Sequence, residues 1–209
     1  MPYKYYFSLL AFLFLFQNGE AQERRFNAGF LLGTNASQIQ GDREARFNKL
    51  GLYAGITAQV LFTEKSELGL EIAFSQLGSR SVSTNIGTLP FKSKLNYVMV
   101  PVYFKFKDWL MEDEQYYRLH FLGGLSYGRL FSTKMEGEPF ESIDGFLRDN
   151  YFGFLVGAVY FVNSKIGIGA RFERSLIDIY NNDLDNGGPP VETNIWSKHL
   201  TFYVTYSLL

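Results

Sequence analysis

The sequence of 209 residues predicts an all-β fold: an eight-stranded antiparallel up-and-down transmembrane β-barrel with short periplasmic turns and long extracellular loops. Three observations predict it. Past residue 22 the chain shows no helical period, only segments of roughly ten residues that alternate apolar with polar or small side chains. The connections between them alternate in length, short then long. Aromatic residues make up 18% of the chain and gather at segment ends, where interfacial girdles sit.

The N-terminal stretch "MPYKYYFSLLAFLFLFQNGEAQ" precedes the alternation. Lys4, an apolar run from Tyr5 to Phe16 and small residues at Gly19 and Ala21 have the layout of a secretory signal peptide. We expect residues 1–21 to be removed after Ala21 and residues 22–209 to form one barrel domain. The apolar run is too short for a helix across ~30 Å of hydrocarbon.

Eight strands follow in order. The first, near 26–35, reads "FNAGFLLGTN". The second, near 49–62, sets Leu50, Leu52, Ala54, Ile56, Ala58, Val60 and Phe62 against Gly51, Tyr53, Gly55, Thr57 and Gln59. The third, near 66–77, sets Leu68, Leu70, Ile72 and Phe74 against Gly69, Glu71, Ala73 and Ser75. The fourth, near 93–107, sets Val98, Val100, Val102, Phe104 and Phe106 against Tyr97, Met99, Tyr103 and Lys105. The fifth is "YYRLHFLGGLSYGRLF", near 116–131. The sixth, near 151–162, alternates least, because Leu155, Val159 and Phe161 make its second face apolar too. The seventh, near 165–179, is "KIGIGARFERSLIDI". The eighth, near 196–208, sets Leu200, Phe202, Val204, Tyr206 and Leu208 against His199, Thr201, Tyr203, Thr205 and Ser207. Turns after strands two and six are tight ("TEKS", "NSK") and the one after strand four is moderate ("DWLMEDEQ"); those after one, three, five and seven are long and polar.

Alternation alone does not say which face is inside. A sandwich or a lipocalin-like barrel turns its large apolar residues inward, whereas a membrane barrel turns them out to lipid. The minority faces favour the membrane barrel: they are rich in Gly, Ser and Thr with scattered charges, which suits a narrow, filled eight-strand lumen. Phe26, Phe62, Trp109, Tyr116, Tyr117, Phe161 and Trp196 are the expected girdle residues. A formal net charge of −1 argues against nucleic acid as a partner, which demands a basic excess. With no Cys, disulfides, thiolate metal sites, a Cys nucleophile and a lipid-modified Cys are excluded.

The inward charged and titratable residues are Glu71, Lys105, Arg118, His120, Arg171 and Glu173. Buried charges must pair, so these six are expected to form a structural network that plugs the lumen. An active site inside the barrel is the alternative, with a lipid-modifying enzyme as its sharpest form. His120 and His199 lack the spacing of a metal site, and no Ser/His/Asp grouping stands out, so no enzyme activity and no cofactor are expected. Arg174 lies on the lipid face near the outer rim, where it is expected to contact lipid, lipopolysaccharide phosphates included. In the last long loop Asn181, Asp183, Asp185 and Glu192 weakly echo calcium-loop spacing, without the flanking helices and with Asn186 at the turn-Gly position. The acidic connection at 132–150 offers a surface to a protein partner.

"LGTNASQIQGD" (32–42), "FNKLGLYAGI" (47–56), "ELGLEIAFSQLGSRS" (67–81), "LNYVMVPVYFKF" (95–106), "GLSYGRLFSTK" (124–134) and "GIGARFERSLIDI" (167–179), in that order, resemble the PorT-like outer-membrane β-barrel family of Gram-negative bacteria. The resemblance covers nearly the whole mature chain and includes an Arg-x-x-x-Ser segment at Arg171 and Ser175. It implies an outer-membrane barrel inserted by the barrel-assembly machinery. Its namesake acts in type IX secretion, which makes a secretion or envelope subunit the alternative to a structural or surface-interaction role. The Arg- and Asn-rich stretch expected after the namesake's fourth strand is missing here. The end, "YVTYSLL", also replaces the usual terminal aromatic with Leu209.

Overall fold

The computed structural model describes residues 25–39, 47, 49–81, 91–136, 147–178 and 196–208. The expected signal peptide and the calcium-like loop residues 181, 183, 185 and 192 lie outside the described residues. Eight strands carry the chain: β1 (Phe26–Ile39), β2 (Lys49–Thr63), β3 (Ser66–Leu77), β4 (Phe91–Met111), β5 (Tyr116–Glu136), β6 (Asn150–Phe161), β7 (Ile166–Ser175) and β8 (Ser197–Ser207). Each pairs antiparallel with its sequence neighbour, and β1 pairs β8, from Gly29↔Ser207 to Ile39↔Ser197. The sheet therefore closes on itself as an eight-stranded up-and-down barrel. Beyond Gly78 (φ 151°), Arg80–Ser81 continue β3 along the same partner, β4. A side chain at Gly78 would run into the Ser93 carbonyl, so only glycine fits this bend.

Alternation decides what each strand buries. Large apolar side chains such as Leu50, Ile56, Ile72, Val102, Phe104, Leu125, Ile168 and Val204 stand exposed on the outer surface. Polar and aromatic side chains such as Asn35, Tyr53, Glu71, Ser75, Tyr97, Arg171, His199 and Thr201 are buried within. In water this inversion would be unstable; in lipid it satisfies both faces. The second apolar face of β6 turns inward: Leu155, Val159 and Phe161 join Leu31, Tyr53, Ala73, Tyr103, Leu122 and Tyr203 in one buried cluster. A second cluster, nearer the long-loop end, holds Leu77, Leu95, Tyr97, Met99, Leu130 and Tyr151.

Two irregularities shape the wall. The β4–β5 register shifts between Asn96 and Tyr97, because Phe131 is an extra residue on β5. Below it Leu122, Ser126 and Leu130 face in; above it the phase inverts, and Lys134 and Glu136 face out. The β3–β4 ladder breaks between Leu70↔Val102 and Ala73↔Met99, beside Pro101, which has no N–H to give. β4 and β5, at 21 residues each, run further than the apolar alternation foretold. Their polar upper ends keep pairing with each other, as in Ser93↔Met135 and Lys92↔Glu136. β7 stops earlier than expected, at Ser175, whose Oγ accepts a hydrogen bond from the Ser197 N–H at 2.9 Å.

Candidate functional site

The barrel interior is where this sequence concentrates its polar chemistry. At mid-height β3 and β7 each turn a charged side chain inward. Arg171 Nη1 lies 3.0 Å from Glu71 Oε2, with both side chains almost fully buried. Tyr53 donates its hydroxyl to the same carboxylate oxygen at 2.8 Å. The guanidinium lies over the rings of Tyr53 and Tyr203, 4.7 and 5.6 Å from their centroids. Glu173 and His199, directly opposite in the β7–β8 register, bring Oε2 and Nε2 to 3.6 Å. On the neighbouring wall Asn35 donates to Ser75 Oγ and accepts from Thr201 Oγ1 at 2.9 and 2.8 Å. Gly69 and Gly169 make room for the ring layer, since a Cβ on either would overlap the ring of Tyr103 or Tyr203.

A second polar group sits toward the short-turn end. Glu67 bridges Lys107 Nζ at 2.8 Å and Lys105 Nζ at 3.4 Å. His120 stacks on Phe161, ring centroids 4.4 Å apart, with Nε2 3.0 Å from the Tyr117 carbonyl. Glu67, Lys107, His120 and Phe161 line a cavity of about 380 Å³, with Gln59, Tyr116 and Ser207 on its walls.

At the long-loop end the outward faces turn basic. Arg174 stands opposite Lys198, and its guanidinium packs over Trp196 at 4.3 Å from the centroid. Arg129 pairs with Asp149 at 2.8 Å. Lys134 and Glu136, two residues apart on one face, meet at 2.8 Å. Their hydrogen bond raises the Lys134 ammonium and lowers the Glu136 carboxyl relative to their ordinary ranges.

Of the six residues expected to share one network, five face inward, in two separate groups. Glu71, Arg171 and Glu173 lie in the mid-height layer; Lys105 and His120 lie in the lower one. Arg118 does not join them, which corrects the expectation from alternation. Trp109, across from it on β4, adopts a left-handed backbone (φ 59°) and swings its ring outward. Arg118 follows, stacking on Trp109 and Tyr160 at 5.7 and 5.8 Å. Phe161 is likewise not a girdle residue, since it is buried against His120. Glu67 and Lys107 were missed, although alternation already marked them: each is two residues from an inward position. His199, inward on β8, stands outside the expected six and meets Glu173 across the β7–β8 ladder. Among the described residues, no group of three or more His, Asp or Glu side chains is placed to hold a metal ion.

A family model described as "Outer membrane protein beta-barrel domain" matches residues 17–181. No curated protein matches the chain by sequence. Among solved structures, the attachment invasion locus protein Ail of Yersinia pestis, in complex with the heparin analogue sucrose octasulfate, aligns at 11% identity and TM-score 0.47, covering 88% of this chain and 99% of its own. Neisserial surface protein A aligns at 13% identity and TM-score 0.49, covering 87% and 96%. OprG from Pseudomonas aeruginosa aligns at 13% identity and TM-score 0.44, covering 88% and 94%.

Proposed function

Because the chain belongs to the outer membrane protein beta-barrel domain family, we propose that it is a non-enzymatic integral barrel, closed by its own side chains, that acts through its outer surface. The observation that carries this reading is the mid-height layer. Glu71 and Arg171 answer each other's charge at 3.0 Å, between an apolar cluster above and a ring-rich cluster below. Charges held this way serve packing; an ion path needs charges that water can reach. The same reading gives Arg174 a lipid-facing role, its guanidinium held by Trp196 at the level of the headgroups. Within the family, the PorT-like resemblance of residues 32–42 and 167–179 is the finer placement we favour.

Single-channel recording tests the closed interior. Refolded protein that shifts on gels upon heating, and so is folded, is expected to insert into planar bilayers without stepwise ion conductance. A reproducible unitary conductance would overturn the closed-barrel reading.

A further inference from the structure

The register stacks like charges on one outer face of the long-loop rim. Arg80 pairs directly with Lys92, and Lys94 pairs directly with Lys134. Lys92 and Lys94 are two apart on β4 and share the outward face, as do Lys134 and Glu136 on β5. Four cations and one carboxylate thus occupy adjacent rungs, and Glu136 is already bonded to Lys134. Lys49, nearly buried just inside the rim, is disfavoured as a cation first by its burial and then by the charges of Lys92, Lys94 and Arg80, with Glu136 acting the other way. The connection from Arg80 to Lys92, through residues 82–90, contains no Asp or Glu.

Like charges directly opposite in a sheet oppose its pairing. This patch stands two outward positions above the last apolar rung, where Phe74 pairs Val98 and stacks on Phe131 at 6.0 Å. Lys92 also faces Glu136 across the β4–β5 ladder, so this one carboxylate is shared by four cations, and the remaining positive excess beside the hydrocarbon edge calls for an anion that is always present at that height. We propose that Arg80, Lys92, Lys94 and Lys134 form a binding site for the phosphate groups of a lipopolysaccharide headgroup in the outer leaflet. Ammonium and guanidinium groups spaced along two rungs suit a ligand with more than one phosphate, and their long stems reach down over the apolar band. The site rests on the membrane placement of the barrel, but not on its interior being closed.

The test uses the full barrel refolded in neutral detergent, with intact and with phosphate-stripped lipopolysaccharide as probes. Wild type is expected to bind the intact form about thirtyfold more tightly than Lys92→Gln/Lys94→Gln, from the attraction each basic side chain has for an anionic surface. The stripped form is expected to bind wild type no better than the intact form binds the variant. Equal binding of the two forms by wild type overturns the proposal without any variant, even if the variant does not refold. So does unchanged affinity in a folded variant, or tighter binding of soluble heparin than of lipopolysaccharide. A wild type that ignores lipopolysaccharide yet stays non-conducting removes this site and leaves the closed barrel standing.

Discussion

Glu71 is held by one cation, Arg171, and by the Tyr53 hydroxyl, in a place without solvent. Glu71→Gln leaves a guanidinium buried without its carboxylate, and breaking such a pair from one side costs about 3–5 kcal/mol. Urea unfolding of the barrel refolded into lipid vesicles measures this; a loss under about 1 kcal/mol would mean Arg171 is neutralised elsewhere. The inward direction of both residues was legible in the sequence, because strand alternation fixes it. Their meeting was not, since they are 100 residues apart and the chain must close before they face each other. Arg118 shows the opposite failure. Alternation assigns it inward, but one left-handed residue across the ladder, Trp109, offers it an aromatic surface outside. Glu67 and Lys107 are legible only from the two-residue period, because the apolar rows that mark the opposite face fade at strand ends.

Hairpin geometry governs the elements. The β6–β7 turn is held by Asn163, whose Oδ1 accepts from the backbone N–H groups of Lys165 and Ile166 at 2.9 and 2.7 Å. Asn163→Ala is expected to lower unfolding stability by about 1 kcal/mol, while Asn163→Asp, which keeps the acceptor, stays near wild type. Equal losses in both variants would show that the turn does not depend on that acceptor. Central spans such as β2 and β3 were legible nearly to the residue, since lipid demands an unbroken apolar row. The upper parts of β4 and β5 were not. There the outward row becomes Lys92, Lys94 and Asn96, and pairing persists without an apolar signal. The extra residue at Phe131 was invisible for the same reason: a bulge changes the phase of a strand without changing its composition.

For the molecule as a whole, the outer band is the part that answers to the bilayer. Val102 lies in the middle of the outward row of β4, and Val102→Arg is expected to cost about 2–4 kcal/mol in vesicles. Asn96→Arg, at the upper end of the same row, is expected to cost only ~0–1 kcal/mol. Equal costs at the two positions would contradict the placement of the band. The β1–β8 seam carries one further consequence. Gly29 pairs Ser207 and Ile39 pairs Ser197, so the first strand of the barrel waits for the last. Seven of the eight seams join sequence neighbours; this one must close a loop of nearly the entire chain, which makes it the slow step of ring formation. Until residues 197–207 arrive, β1 and β7 both present unpaired backbone. An unfinished chain is therefore a two-edged ribbon that can pair with another copy, and holding those edges apart until the ring shuts is what its assembly must accomplish.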